Sequence, residues 1–111
     1  MASSKGFLEF ALDQLSPLED ISYRYMMGEY VIYYKGYVCA WVLDDRLFVK
    51  PTEHNQTYYD LHHITPTYEQ PYKGNNNKWI LVNEIENSEF VVNLIKHIAN
   101  NAPPSKKRRK K

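Results

Sequence analysis

The chain has 111 residues, the size of one domain, and its single cysteine excludes an internal disulfide and a multi-cysteine zinc site. Apolar residues make up 43% and charged residues 24%, as in ordinary soluble proteins. The mean hydropathy is −0.61, and no apolar stretch approaches the roughly 18 residues that a membrane span needs. Because the N-terminus also lacks the apolar segment of a signal peptide, we expect a cytoplasmic protein.

The formal net charge of +1 is unevenly distributed. Six of the 14 basic residues form the C-terminal end, and the rest of the chain has eight basic residues against 13 acidic ones, a charge of −5. We therefore predict an acidic globular domain over residues 1–102 and a disordered basic tail over 103–111. The tail's candidate polyanion-binding residues are Lys106, Lys107, Arg108, Arg109, Lys110 and Lys111.

The first half of the chain is predicted to form one helix and four strands. Apolar residues at helical spacing indicate a helix that is capped by Ser3 or Ser4 and stopped by Ser16-Pro17. β-rich segments separated by two-residue turns follow, which is typical of antiparallel hairpins. The predicted strands are 20–25, 29–34, 37–43 and 46–50, with a bend at 26–28 and turns at 35–36 and 44–45.

The second half is predicted to contain two helices with a loop and a strand between them. Thr52 caps a short helix that runs to His63, and Asn87 or Ser88 caps the final helix. Residues 64–78 contain two prolines and three consecutive asparagines, so they form a loop, with a short strand near Thr67–Gln70. Residues 79–82 form an apolar strand.

Helices that bracket a run of hairpin strands indicate an α+β fold rather than alternating βαβ units. We predict two layers: an antiparallel sheet, built as a meander of hairpins, with the N-terminal and C-terminal helices packed on it.

The histidines and the cysteine are the first candidates for chemistry. His54 and His62 are eight residues apart, which does not match the i, i+4 spacing of helical zinc motifs. Cys39 lies in the apolar run YVCAWVL, which favours a small core residue over a nucleophile. A spatial pairing of Cys39 with a histidine stays open at this point. We predict no metal site.

The remaining candidates for catalysis are carboxylates and loops. Asp44-Asp45 falls at a hairpin tip, where aspartate is a favoured turn residue. The glycines are too scattered for a phosphate-binding loop, and no Ser-His-Asp signature is present. The sequence therefore predicts no catalytic residue, no cofactor and no enzymatic activity. An enzyme acting through Cys39 or a histidine is the least supported hypothesis.

Tyrosine is unusually frequent, with ten in the chain. A tyrosine ring is apolar and its hydroxyl tolerates water, so tyrosines serve both packing and protein interfaces. Stacking on nucleic-acid bases is a third use, which the acidic domain opposes. We expect packing to be the main role and a protein interface, with another protein or a second copy of the chain, to be the next. The candidate interface residues are Tyr30, Tyr33, Tyr34 and Tyr37.

The segment RYMMGEYVIYYKG, with the preceding helix and the later DDRLFVKPT, resembles the TfoX/Sxy N-terminal domain family from about Ser3 to Asn101. The family pattern is an arginine, a spacer, a methionine, then an aromatic residue and glycines. Arg24, Met26 and Gly28 match this motif, whereas Met27 replaces the aromatic residue and Glu29 replaces a second glycine.

The resemblance implies a small α+β domain similar to secretion-chaperone-like folds, and it carries over no catalytic residue. Long members of the family regulate competence genes together with a cyclic-AMP-responsive activator, and they have a C-terminal domain that we do not find here. We therefore expect a short stand-alone, bacterial member that acts in regulation through protein–protein contacts. The alternative is a nucleic-acid accessory protein that binds weakly through the basic tail.

Overall fold

A computed structural model describes residues 5–26, 29–71, 74 and 77–101. These residues form three helices and one six-stranded antiparallel sheet. The elements in chain order are α1 (Lys5–Gln14), β1 (Ile21–Met26), β2 (Glu29–Tyr34), β3 (Tyr37–Leu43), β4 (Arg46–Val49), α2 (Glu53–Leu61), β5 (Thr67–Glu69), β6 (Trp79–Leu81) and α3 (Ser88–Asn100).

The strand order is β1-β2-β3-β4-β6-β5, and every neighbouring pair is antiparallel. The first four strands form the predicted meander of hairpins. Strand β6 then pairs with β4 and places β5 at the far edge of the sheet. The α+β prediction is confirmed.

Two hairpins owe their tight turns to residues with positive φ. Lys35 and Gly36 have φ of 53° and 84°, and Asp44 and Asp45 have φ of 53° and 57°. Positive φ at both central residues matches the right-handed twist of the flanking strands in a two-residue hairpin loop. The aspartates are therefore turn residues, as predicted, and they fix the register of β3 on β4.

The helices cover one face of the sheet and enclose the core. The apolar stripe of α3, which includes Val91, Leu94 and Ile95, packs with Ile32 and Val42 of the central strands. Leu8 of α1, Leu15 directly after that helix, and Tyr58 and Tyr59 of α2 belong to the same core cluster. Because apolar burial is the main favourable term in folding, this layer of contacts holds the helices on the sheet.

The two later helices begin at capping side chains. Thr52 Oγ1 accepts a hydrogen bond of 3.1 Å from Asn55 N, and Asn87 Oδ1 accepts one of 3.1 Å from Phe90 N. These bonds satisfy backbone donors that have no partner within the helix. The structure thus selects Asn87 over Ser88 as the cap of α3. Helix α2 ends at Leu61, earlier than predicted, because His63 has a φ of 58° that leaves the helical region.

Two further predictions around β1 need correction or lie outside the described residues. Met26 belongs to β1, where it pairs with Glu29, rather than to a bend. Asp20 has a φ of 65° and precedes the strand instead of starting it. The bend residues Met27 and Gly28 lie outside the described residues. The predicted caps Ser3 and Ser4 and the tail 103–111 also lie outside them.

Strand β3 contains a bulge opposite β2. The register moves from Tyr33↔Val38 to Ile32↔Ala40, so Cys39 is an extra residue on the β3 side. A bulge bends the strand and increases its twist. Both Cys39 and Ala40 are buried in the core cluster.

Candidate functional site: the exposed tyrosine edge

Strand β1 forms one edge of the sheet and is largely exposed. Tyr23, Tyr25 and Met26 leave 44%, 60% and 45% of their surfaces accessible. Every β1 residue after Ile21 is exposed, whereas the neighbouring β2 is mostly buried. The helical layer therefore covers β2 but not β1, and aromatic side chains stand at the uncovered edge.

The two tyrosine rings of β1 rest on a third ring. Tyr23 and Tyr25 meet the ring of Tyr30 edge-on, at centroid distances of 5.9 Å and 5.1 Å. Edge-to-face contacts of this kind restrict ring orientation and contribute roughly 0.5–1.5 kcal/mol each. The contacts with Tyr30 thus restrict the orientations of the two exposed rings. We call Tyr23, Tyr25 and the supporting Tyr30 the tyrosine edge.

The predicted interface tyrosines occupy different environments. Tyr30 and Tyr34 are each 9% exposed and belong to the core cluster. Tyr33 and Tyr37 are half-buried. Sequence reasoning missed Tyr23 and Tyr25, although their alternation in ISYRYM puts both on one face of a strand. What it could not show is that this strand lies at an edge.

The open side of β1 also has backbone groups available. Bonded and non-bonded pairs alternate along an antiparallel ladder. Lys35 N donates to Asp20 O at 3.1 Å, so counting on from this bonded pair, the residues of β1 bonded to β2 are Ser22, Arg24 and Met26. The backbone groups of Ile21, Tyr23 and Tyr25 therefore point away from β2, toward the open edge.

The family motif divides between β1 and the undescribed turn. Arg24 and Met26 pair with Val31 and Glu29, on the sheet face opposite to Tyr23 and Tyr25. Both side chains are exposed. Gly28 lies outside the described residues. The two motif residues that can be placed therefore alternate with Tyr23 and Tyr25 along the same strand.

Cys39 is poorly suited to act as a nucleophile. Its side chain is buried, and desolvation raises the pKa of the thiol from 9.0 to about 12, against a smaller opposing effect of the Tyr34 backbone. The reactive form of cysteine is the thiolate. At neutral pH this thiol therefore stays protonated, as expected of a core cysteine.

His54, His62 and His97 lie near the contact between α2 and α3, close to aromatic rings. The rings of His62 and His97 lie 4.3 Å and 5.2 Å from that of Tyr58, and His97 Nε2 is 2.8 Å from the backbone oxygen of His54. Within the described part of the chain, no three His, Cys, Asp or Glu side chains are grouped to hold a metal ion. The geometry assigns these histidines to packing between α2 and α3.

The candidate polyanion-binding residues of the basic tail, Lys106 to Lys111, lie outside the described residues. Among the helices that the structure describes, none is long and apolar enough to cross a membrane.

Comparison with known proteins agrees with the fold and with the motif in β1. An uncharacterized 12.7 kDa protein in the trpE 5′ region of Spirochaeta aurantia is 26% identical over 111 residues, covering 100% of this chain and 93% of the relative. Residues 13–88, more than half of the chain, match the family model of the TfoX N-terminal domain. This segment runs from the end of α1 to the start of α3 and includes the whole sheet. The chain therefore belongs to the TfoX N-terminal domain family.

Proposed function

We propose that this protein is a non-enzymatic regulatory module of the cytoplasm that binds a protein partner through β1. The observation that carries the proposal is the tyrosine edge, a strand with exposed aromatic rings and open backbone groups. Such a strand can be extended by a strand from another chain, in which main-chain hydrogen bonds supply affinity. The tyrosine rings then supply contact area at low cost in conformational entropy.

We propose a second copy of the chain as the partner. If two β1 strands pair antiparallel about Tyr23, Ile21 of each copy lies opposite Tyr25 of the other. A two-fold contact uses the same surface twice, so it requires a self-complementary strand. The only charged residue of β1, Arg24, would then face Ser22 rather than its own copy. The pairing thus avoids direct like-charge contact, which destabilises a sheet.

The test is the oligomeric state of the full chain and of a Tyr25→Lys variant. A lysine at an edge opposes strand pairing, so we expect wild type to form dimers with rising concentration and the variant to remain monomeric. Light scattering coupled to gel filtration, and sedimentation equilibrium, measure the dissociation constant. A shift of at least tenfold toward monomer is expected.

Tyr68→Lys is the matched control for this experiment. Tyr68 lies on β5, the opposite edge strand, and is 40% exposed. We expect its dimerisation to equal that of wild type. Circular dichroism confirms that both variants fold. A wild-type chain that stays monomeric at several hundred micromolar, or equal weakening by both lysines, would contradict the second copy as partner.

The second candidate function is electrostatic binding of nucleic acid by the tail. It rests on the sequence, which concentrates six basic residues at 106–111 beside a domain of net charge −5. Fluorescence anisotropy with duplex and single-stranded oligonucleotides would compare the full chain with one ending at Ala102. If all six charges engage phosphates, a plot of the logarithm of affinity against the logarithm of salt concentration should have a slope of about −5.4 for duplex and about −4.2 for single-stranded DNA. Binding by the truncated chain would exclude the tail as the contact.

A further inference from the structure

A small cleft that contains no residue of β1 lies where β3 extends past the end of β4. Pairing between these strands covers only Trp41–Leu43 and Arg46–Phe48. The chain then leaves the sheet at Lys50 and enters α2, so the beginning of β3 faces α2 and the end of α3 instead of another strand. The cleft that results has a volume of about 180 Å³.

The walls of the cleft are mostly apolar. Val38 and Trp41 of β3 and Ile98 of α3 supply large apolar side chains, with the buried Cys39 between them in sequence. A cavity of about 150 Å³ is known to accept benzene when its lining is apolar. The cleft is therefore large enough for one compact apolar group of about that size.

Hydrogen bonds hold the surrounding segments in position. Asn55 Nδ2 donates to the backbone oxygen of Lys50 at 2.8 Å, and His97 Nε2 lies 2.8 Å from the backbone oxygen of His54. The first bond ties α2 to the end of β4, and the second ties α2 to α3. The cleft is thus already formed without a ligand, which lowers the entropic cost of binding.

The charge at the cleft differs from that of the domain. Lys50 lines it, with its ammonium 5.2 Å and 4.9 Å from the ring centres of Trp41 and Trp79. Among the described residues that line the cleft, none is a carboxylate, although residues 1–105 together carry a charge of −5. The cleft therefore combines apolar walls with one oriented cation.

We propose that this cleft binds a small organic carboxylate of about ten non-hydrogen atoms in total, with a compact, benzene-sized apolar body. The apolar body lies against Val38, Trp41 and Ile98, and the carboxylate pairs with the ammonium of Lys50. A charge-assisted hydrogen bond is stronger than one between neutral groups, so the anionic head determines selectivity. Binding at this place would contact α2, α3 and β3 together and would stabilise the folded domain.

Phenylacetate and its neutral analogue phenylacetamide are a matched pair of probes. The chain's two tryptophans, Trp41 and Trp79, report binding by fluorescence, and Trp79→Phe assigns the signal to Trp41. We expect phenylacetate to bind at least tenfold more tightly than phenylacetamide. Chemical-shift changes in ¹⁵N-resolved NMR spectra should concentrate at Val38, His54, Ile98 and Asn101. Equal affinity for the two probes, or shifts elsewhere in the domain, would overturn the proposal.

Variants of Lys50 test the role of the cation. Lys50→Gln should weaken phenylacetate binding at least tenfold, Lys50→Arg should keep it within about threefold, and the exposed Lys96→Gln on α3 should leave it unchanged. The chain ending at Ala102 separates Lys50 from the basic tail. If truncation abolishes binding and Lys50→Gln does not, the anion is held by the tail and the cleft proposal is wrong. Tyr25→Lys should bind as wild type, which keeps this test independent of dimerisation.

Discussion

Tyr58 and Tyr59 on α2 and Tyr23 and Tyr25 on β1 are the same type of residue in opposite surroundings. The α2 pair is 5% and 0% exposed, and both hydroxyls are hydrogen-bonded, to Phe90 O at 2.9 Å and to Glu84 Oε1 at 3.2 Å. The β1 pair is 44% and 60% exposed and makes its ring contacts with Tyr30. Each buried tyrosine hydroxyl of α2 therefore donates a hydrogen bond to an oxygen atom of the protein.

The difference shows that a high tyrosine content has two separate consequences here. A buried tyrosine adds a large apolar ring to the core provided that its hydroxyl finds an acceptor. An exposed tyrosine at a sheet edge leaves water to satisfy the hydroxyl and keeps the ring available for another chain. The contact between α2 and α3 thus contains buried, hydrogen-bonded tyrosines, whereas β1 leaves its tyrosine rings exposed.

Removing a whole tyrosine side chain should give the largest difference in the free energy of unfolding between the α2 pair and the β1 pair. Tyr59→Ala leaves a large cavity in the core and should lower the free energy of unfolding by about 3–5 kcal/mol. Tyr25→Ala should lower it by less than about 1 kcal/mol, because the lost ring contact is exposed. Urea unfolding, at concentrations low enough to keep the chain monomeric, measures both. Tyr59→Leu is a milder variant if Tyr59→Ala does not fold. An equal loss of unfolding free energy for Tyr59→Ala and Tyr25→Ala would show that the two tyrosines contribute alike to stability.

Alkaline pH should have the second-largest effect, because it destabilises the folded state through buried groups that resist ionisation. Burial raises the pKa of Cys39 from 9.0 to about 12, and burial and the Glu84 carboxylate raise the pKa of Tyr59 from 10.0. From pH 9 upward the unfolded chain releases the thiol proton while the folded chain keeps it, so rising pH favours the unfolded state. The stability is complete below pH 9 and should fall by up to about 1.4 kcal/mol per pH unit between 9 and 12 for this one group.

Cys39→Ala is the control for the pH experiment. Urea unfolding under reducing conditions at pH 8, 9 and 10 should give a steeper loss of stability for wild type than for the variant. Above pH 10 both should decline further, because Tyr59 is present in each. Parallel curves for the two proteins between pH 9 and 10 would show that the Cys39 thiol is not shifted.

Most of the secondary structure could be predicted from local sequence. Hairpin turns such as Lys35-Gly36 and Asp44-Asp45 carry residues that tolerate positive φ, and both turns occur as predicted. The stripe on α3 and the cap Thr52 were also recognisable, because helical periodicity and capping depend on neighbours a few residues apart. Such signals determine where elements begin and end, to within a few residues.

The tyrosine edge and the cleft depend on contacts between distant segments. Tyr23 and Tyr25 are exposed because the helices do not extend over β1, and no local pattern in ISYRYM encodes that limit. Tyr30 has the same local signature but is covered. The cleft exists because Ile98 comes close to Val38, although 60 residues separate them in the chain. Candidate sites formed by segments that are distant in the sequence can therefore be recognised only when the fold is known.

Removing only the tyrosine hydroxyls should give the smallest difference in stability between α2 and β1. It tests whether the buried hydroxyl bonds contribute to that difference. Tyr58→Phe keeps the ring beside Phe90 but deletes the buried donor to Phe90 O, which should reduce the free energy of unfolding by about 1 kcal/mol. Tyr25→Phe deletes a hydroxyl from a ring that is 60% exposed, so its stability should change by less than about 0.3 kcal/mol. Urea unfolding of the two variants in parallel gives the difference. If Tyr58→Phe is as stable as wild type, ring packing alone explains the burial of the α2 tyrosines, and their hydroxyl bonds add nothing to the comparison with β1.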